Sequence, residues 1–372
     1  MDETFYETIY HLVDDYIDIN INEYIKPSFY KNMISSITEL IFIPVEDIID
    51  DEILTYIESI VEPYYESNHV VRSFKTTFKT TDNDNIDEIL AYLKNIPQTK
   101  QRTDEWYEYR HRHLTASNIW KVFGSQSSYN QLICEKCKPI VMFNKSVNMD
   151  SPMHWGQKYE EVSLLWYQEN FNVIVEDYGC IPHKDIDCIA ASPDGIVTTK
   201  NSGRYGRMLE IKNIVNREIN GNPKLEYWVQ MQFQMEVCNL DECDFLETRF
   251  KEYENEKEFL EDGNYNFTED GKHKGTLISF IDNGMPNYKY PPFGISKEDY
   301  EKWESRIMCE NEDKEFLARS YWKLDEISCV FVPRHRKWFE FGKDKIVECW
   351  NTILKERKEG YDHRLPKKKN KK

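Results

Sequence analysis

The chain has 372 residues, a net charge of −18 at neutral pH and nine cysteines. This length allows one large domain or two ordinary ones with a buried core, which excludes a peptide or a disulfide-stapled miniprotein. No stretch approaches the roughly 18 apolar residues of a membrane helix, no basic start precedes an apolar run, and the cysteines follow no regular framework. We therefore expect a soluble intracellular protein that does not bind membranes.

The negative charge is concentrated at the N-terminus. Residues 1–70 contain 16 acidic and two basic side chains, a net charge of −14, so the remaining 302 residues carry only −4. Basic clusters follow at Arg110–His113 and Arg334–Lys337. A surface that faces nucleic acid is therefore possible in the second part of the chain.

Residues 1–85 are predicted to form an acidic helical region that ends in a linker. Apolar residues recur at helical spacing up to about residue 70, and the stretch Lys75–Asn85 is rich in Thr, Asn and Asp, which is typical of exposed linkers. We place a domain boundary at this stretch. A second domain is expected over residues 86–360, followed by a basic tail over residues 361–372.

The second domain alternates between helix and strand patterns, which predicts the α/β class with a mixed central sheet flanked by helices. Ser151 is a candidate cap for the first clear helix, because Pro152 stands at a tolerated first-turn position. Helices are predicted over residues 151–170, 225–240 and 343–360, and strands over residues 173–183, 188–199, 207–215, 244–250 and 328–341.

Two carboxylates stand close together in the stretch SPDGIVTTKNSGRYGRMLEIKN, Ser192–Asn213. Because side chains alternate along a strand, Glu210 and Lys212 are predicted to share one face while the apolar residues beside them face the other. If Asp194 lies on the neighbouring strand of a hairpin, the two acids form an oxygen-rich site suited to Mg²⁺ or Mn²⁺. A hairpin with surface charges is the alternative that this stretch alone leaves open.

Three further motifs stand in order around this stretch: DEWYEYRHRHLTASN, WGQKYEEVSLLWY before it, and YWVQMQFQMEV after it. Over about residues 101–250, these three motifs together with SPDGI and LEIKN resemble the YqaJ and lambda-type alkaline exonucleases. This family is a branch of the PD-(D/E)xK nuclease superfamily and is frequent in phages and large DNA viruses. The resemblance implies a PD-(D/E)xK core with a mixed central sheet, and it does not extend to residues 1–85.

The resemblance also implies roles for individual residues. Asp194 and Glu210 would bind catalytic metal ions together with the main-chain carbonyl of Ile211, and Glu160 would complete the acidic group. Lys212 would orient or activate the attacking water.

Three polar residues are expected around this centre by the same resemblance. Gln230, favoured over the neighbouring Gln232, would contact the site or the attacking water. Arg110 and Ser117, seven residues apart, would bind a phosphate near the 5′ end of DNA.

The implied activity is that of a Mg²⁺- or Mn²⁺-dependent deoxyribonuclease, a 5′-to-3′ exonuclease that resects duplex DNA for recombination or replication. A homotrimer, a single-strand annealing partner, and a location in the cytoplasm, or in a host nucleus or viral factory if viral, are implied in the same way. An inactive DNA-binding or interaction module of the same fold and a site-specific endonuclease remain as alternatives. Cys134 and Cys137 are an open candidate for half of a zinc site.

Overall fold

A computed structural model describes residues 3–42, 51–74, 85–99, 101, 103–140, 148–149 and 151–366. Within these ranges the helices are α1 (Glu3–Ile19), α2 (Phe29–Ile41), α3 (Asp51–Asn68), α4 (Ile86–Asn95), α5 (Asp104–His111), α6 (Ala116–Ile119), α7 (Gln126–Cys137), α8 (Pro152–Phe171), α9 (Leu225–Cys238), α10 (Glu256–Glu261), α11 (Lys297–Glu310) and α12 (Arg336–Glu359). The strands in the same ranges are β1 (Leu114–Thr115), β2 (Val175–Glu176), β3 (Ile181–Pro182), β4 (Ile189–Ala191), β5 (Gly195–Val197), β6 (Met208–Asn213), β7 (Glu242–Glu252), β8 (Lys274–Asp282), β9 (Met285–Lys289) and β10 (Glu315–Pro333).

A mixed sheet with the strand order β2-β5-β6-β7-β10-β8-β9 forms the centre of the described part of the chain. Strands β6 and β7 are parallel, and the other neighbours in this sheet are antiparallel. A smaller sheet has the order β1-β4-β3. The predicted α/β class with a mixed central sheet is thereby confirmed.

Helices cover both faces of the central sheet. The α8 residues Tyr159, Val162 and Trp166 share an apolar cluster with Leu209 and Ile211 of β6. On the opposite face, α9 forms a second apolar cluster with Met208 of β6. This cluster includes Trp228, Met231, Phe233 and Phe245. Strand β6 is therefore buried on both sides, and polar side chains on it are held in fixed surroundings.

The N-terminal helices belong to the same hydrophobic core as α9. The ring of Tyr24 lies 5.6 Å from the ring of Trp228 and 4.2 Å from that of His335. Arg72 donates hydrogen bonds to the carbonyls of Tyr24 at 3.1 Å and Pro223 at 2.8 Å. The predicted helical character of this region is therefore observed, while its boundary as a separate domain stays a prediction.

The predicted bounds of three strands are wrong in part. The predicted strands over residues 173–183 and 188–199 each divide between the two sheets, and the second divides at Ser192–Asp194, where Pro193 lacks the N–H that a strand ladder needs. The strand predicted over residues 328–341 ends at Pro333. Helix α12 begins three residues later, where the His335 ring accepts a hydrogen bond from the Trp338 N–H at 3.1 Å.

The helix predicted from residue 151 is confirmed with its cap, because Ser151 Oγ accepts a hydrogen bond from the His154 N–H at 3.2 Å. Most of the predicted linker, residues 75–84, and the end of the predicted basic tail, residues 367–372, lie outside the described residues. None of the helices in the described ranges is long and apolar enough to cross a membrane.

Candidate active site

Asp194 stands at the turn into β5, beside the middle of β6. Strands β5 and β6 pair in an antiparallel register that places Gly195 opposite Leu209. Gly195 is required here, because a Cβ at this position would lie 2.2 Å from a methyl group of Val175. The Asp194 Oδ2 atom accepts a hydrogen bond from the Ile211 N–H at 2.7 Å, which fixes the carboxylate against β6.

Glu210 is fully buried on the face of β6 that meets α9. Its Oε1 atom accepts hydrogen bonds from Lys212 and from Gln230 Nε2, the latter at 2.7 Å. Its Oε2 atom accepts one from Gln234 Nε2, also at 2.7 Å. The predicted alternation along β6 is confirmed, since Glu210 and Lys212 share this face while Leu209 and Ile211 pack with α8.

An open cleft of about 610 Å³ lies next to these strands. Glu160, Asp194, Ile211 and Lys212 line it, whereas Glu210 lies beneath its floor. Glu160 is half-buried at the cleft and the adjacent Glu161 is exposed, so the two neighbouring acids have different surroundings. The structure therefore places four of the five predicted residues on one concave surface, and the fifth, Glu210, is buried behind it in contact with Lys212.

Electrostatic repulsion is concentrated at Asp194. Its burial and the negative charges of Glu210 and Glu160 raise the pKa of the Asp194 carboxyl group, and Lys212 opposes this rise. Burial by itself lowers the pKa of Lys212, but the Glu210 and Asp194 carboxylates outweigh this effect and raise it above its ordinary value. A positive charge in the cleft would therefore be stabilised by the acids.

The donor set fits a hard divalent cation in its chemistry, because Asp194, Glu210, Glu160 and the Ile211 carbonyl all offer oxygen atoms. The described residues contain no group of three or more His, Cys, Asp or Glu side chains already arranged to hold a metal ion. At Glu210, Lys212 and Gln230 donate to Oε1 and Gln234 donates to Oε2, so a carboxylate with about four lone-pair sites keeps acceptor capacity on Oε2. The acids are suitable ligands for a divalent cation, and hydrogen bonds from neighbouring side chains hold the Glu210 carboxylate in place.

Arg110 and Ser117 are brought together at the junction of α5, β1 and α6. Arg110 Nη2 donates a hydrogen bond to Ser117 Oγ at 2.8 Å. The guanidinium group also lies 4.3 Å from the centroid of the Trp106 ring, and Trp106 lines the same cleft as Asp194. The pair is thus connected to the cleft through an aromatic side chain.

Gln230 and Gln232, the two glutamines considered for contact with the site, have different surroundings. Gln230 faces Glu210, as described above. Gln232 instead donates to the Pro333 carbonyl at 2.9 Å and accepts from the His335 N–H at 2.7 Å, so it joins α9 to the start of α12. The favoured register, with Gln230 directed to the site, agrees with this geometry.

Sequence reasoning missed three residues of the cleft and its floor. Gln234 follows Gln230 by one helical turn, a spacing that places both on one face of α9, so this signal was available. Arg217 and Tyr227 both line the cleft, and the Tyr227 ring centroid lies 5.3 Å from the Arg217 guanidinium and 5.2 Å from Lys212 Nζ. Arg217 is paired with the buried Glu247. No local pattern marked it.

Cys134 and Cys137 are free thiols on α7. Burial raises the pKa of both thiols, and Cys137 Sγ donates to the Ile353 carbonyl of α12 at 3.7 Å. A neutral thiol is a poor metal ligand. Their surroundings are those of packed core side chains.

Residues 105–241 match the family model of the YqaJ-like viral recombinase domain. The matched range contains Arg110, Ser117, Glu160, Asp194, Glu210, Lys212 and Gln230. The predicted resemblance to the YqaJ family is thereby confirmed for this part of the chain.

A curated relative of viral origin is an uncharacterized protein of Acanthamoeba polyphaga mimivirus, which is 32% identical over 300 residues. The alignment covers 70% of this chain and 53% of that protein, so the chain spans about half the length of this relative.

The similar solved structures include two exonucleases. An alkaline exonuclease of Laribacter hongkongensis has a TM-score of 0.40 and 19% identity, over 69% of this chain and 95% of that one. A phage-related exonuclease of Haemophilus somnus has a TM-score of 0.36 and 11% identity, over 67% of this chain and 99% of that one.

Proposed function

We propose that the protein is a metal-dependent deoxyribonuclease, a 5′-to-3′ exonuclease that resects duplex DNA ends during recombination or replication. The observation that carries the proposal is the convergence of Glu160, Asp194 and Lys212 on one cleft, with Glu210 directly beneath it. The YqaJ family match over the same residues supports a nuclease.

In this proposal, Asp194, Glu210, Glu160 and the Ile211 carbonyl hold one or more Mg²⁺ or Mn²⁺ ions. When bound, such an ion offsets the charge that develops on the phosphate and makes a water molecule more acidic. The repulsion among the acids, which raises the pKa of Asp194, favours cation binding.

Lys212 has the role of orienting the attacking water. It lines the cleft and its Nζ atom is anchored on the Glu210 carboxylate. Gln230 and Gln234 hold the same carboxylate from the α9 side, so the ammonium group has a fixed position. A group preorganised in this way acts at the point where charge develops in the transition state.

Arg110 and Ser117 are proposed to receive the 5′-terminal phosphate. A guanidinium group presents paired donors to phosphate oxygens, and a serine hydroxyl adds another donor. This contact distinguishes a DNA end from the interior of a duplex, which favours an exonuclease over a site-specific endonuclease. The homotrimer and the single-strand annealing partner rest on the family resemblance alone and stay predictions.

The test compares linear and covalently closed circular plasmid DNA, each with Mg²⁺ and with EDTA. We expect Mg²⁺-dependent loss of the linear DNA and persistence of the circle. The Asp194→Asn variant serves as the inactive control. Cutting of the circle would support the endonuclease alternative, and binding of DNA without any degradation would support an inactive DNA-binding module.

A further inference from the structure

A buried lysine lies beside the proposed phosphate site and has no part in the chemistry described so far. Lys136, near the end of α7, is only 5% exposed. Its Nζ atom donates hydrogen bonds to the main-chain carbonyls of Arg110 at 2.5 Å and His113 at 2.6 Å. Helix α5 ends at His111, and carbonyls in a last turn lack partners within their own helix. The Arg110 carbonyl also accepts from the His113 N–H at 3.4 Å, and Lys136 adds a donor to it and reaches the His113 carbonyl just beyond the helix end.

A second cation completes the connection from α12. Arg357 Nε donates to the Lys136 carbonyl at 3.0 Å, and its Nη2 atom donates to the His111 carbonyl at 2.9 Å. The end of α5 is thus held from two directions by two long side chains whose donors end on main-chain oxygens. Main-chain contacts of this kind fix the path of the backbone and do not engage the Arg110 guanidinium group, which contacts Ser117 and Trp106.

The surroundings of Lys136 are costly for a cation. Burial, together with the nearby positive charges of Arg110 and Arg357, lowers the pKa of Lys136 to about 7. An apolar side chain would fill the same space without this cost, but it would remove the Lys136 hydrogen bonds to both carbonyls. The lysine therefore stabilises the end of α5 at a local electrostatic cost.

We propose that Lys136 is a positioning residue for DNA-end recognition, which together with Arg357 fixes the end of α5 so that Arg110 meets the 5′-terminal phosphate. The inference rests on the proposed function, in which Arg110 and Ser117 receive that phosphate. Its physical basis is that a displaced helix end would shift the Arg110 guanidinium away from Trp106 and Ser117. A shift of this kind weakens a directional contact more than it weakens general attraction to DNA.

The experiment measures degradation of one linear duplex with either a 5′ phosphate or a 5′ hydroxyl, in the full chain with Mg²⁺. For the Lys136→Met variant we expect the preference for the phosphorylated end to fall about tenfold, which is the loss expected for a charge-assisted hydrogen bond. The loss should appear in KM, with kcat changed by no more than about twofold, since Arg110 acts in binding.

Lys274→Met is the matched control. Lys274 is also a buried lysine, 3% exposed, whose ammonium group donates to two main-chain carbonyls, those of Phe259 and Asp262. It does not line the cleft. A general loss of stability would affect both variants, whereas loss of helix positioning affects only Lys136→Met. Arg357→Gln provides a second variant, with an effect in the same direction, for the case in which Lys136→Met does not fold.

The outcomes separate this inference from the proposed function. An unchanged preference in folded Lys136→Met, or an equal loss in Lys274→Met, would overturn the positioning role while the proposed nuclease stands. If the wild-type chain degrades both ends equally fast, the proposed phosphate contact of Arg110 fails, and the positioning role fails with it.

Discussion

Glu210 shows how a single residue of the site depends on its neighbours. The carboxylate is fully buried, and it is stabilised by an ammonium group and by two amide donors from α9. Asp194 has a different balance, because it accepts one main-chain N–H and faces two other acids. The two acids that look equivalent in the sequence therefore contribute differently to stability.

This difference gives a prediction for isosteric amides. Asp194→Asn should abolish Mg²⁺-dependent cleavage and keep or slightly raise the free energy of unfolding, because it removes a carboxylate that is repelled by its neighbours. Glu210→Gln should also abolish cleavage but lower that free energy by about 1–2 kcal/mol, because Lys212 loses its partner. Nuclease assays and urea unfolding measure the two effects. Wild-type turnover in either variant would contradict the site assignment.

Lys136 gives a prediction about pH. Its pKa falls from 10.5 in an unfolded chain to about 7 in the fold, where the charged groups Arg110, Arg357 and Glu135 and the titratable thiol of Cys180 are its neighbours. Between these values the unfolded chain binds a proton that the folded chain does not, so the free energy of unfolding contributed by this group rises with pH. The stability of wild type relative to Lys136→Met should increase by up to about 1.4 kcal/mol per pH unit above about pH 7.

Urea unfolding of both proteins between about pH 7 and about pH 9 measures this difference. A difference that stays constant or falls as the pH rises would show that the lysine is protonated in the fold throughout this range.

At the scale of elements, α9 connects the site to the rest of the core. Gln230 and Gln234 face Glu210, while Gln232 points to the junction of β10 and α12. A helix turns about 100° per residue, so glutamines two positions apart project to different sides. Helix α9 thus carries two glutamines that face the site and one that makes a purely structural contact.

Two variants on α9 separate these roles. Gln230→Met should lower the cleavage rate with little change in stability, since the residue is only half-buried and Glu210 keeps two other donors. Gln232→Met should leave the cleavage rate near wild type but cost about 1–3 kcal/mol of stability, because the Pro333 carbonyl and the His335 N–H lose their partner. Single-turnover cleavage and thermal melting measure these two effects. Loss of stability in Gln230→Met together with slow cleavage in Gln232→Met would reverse the roles assigned to the two residues.

At the scale of the whole molecule, the acidic N-terminal helices are joined to the domain that carries the site. Tyr24 packs against Trp228 in the first turn of α9, and Arg72 connects the Tyr24 carbonyl with the Pro223 carbonyl in the loop before α9. Phe74 pairs with Phe331 of β10 through main-chain hydrogen bonds. Sequence composition suggested a separable region, but these contacts give it a shared core.

Removal of residues 1–85 should therefore destabilise the chain, since it uncovers Trp228, which is fully buried. We expect aggregation or a clearly lower melting temperature. A milder probe of the same contact is Tyr24→Ala, for which we expect a loss of about 3 kcal/mol. A soluble truncated chain with the melting temperature and nuclease activity of the full chain would show that the two regions are independent.

The sequence by itself determined the local features of this protein. The alternation in LEIKN placed Glu210 and Lys212 on one face of β6, and Ser151 and Pro152 marked the start of α8. These features follow from short-range geometry, the two-residue period of a strand and the capping of a helix, which neighbouring residues specify. The YqaJ motifs added the order in which such elements occur.

Only the tertiary structure decided which distant residues meet. The contacts of Arg217 with Glu247, of Lys136 with Arg110, and of Tyr24 with Trp228 join segments between 26 and 204 residues apart. Such contacts depend on how helices and sheets pack, and no local pattern in a single sequence encodes them. The same reason explains why the strand predicted over residues 188–199 divides between two sheets, since its partners lie on separate parts of the chain.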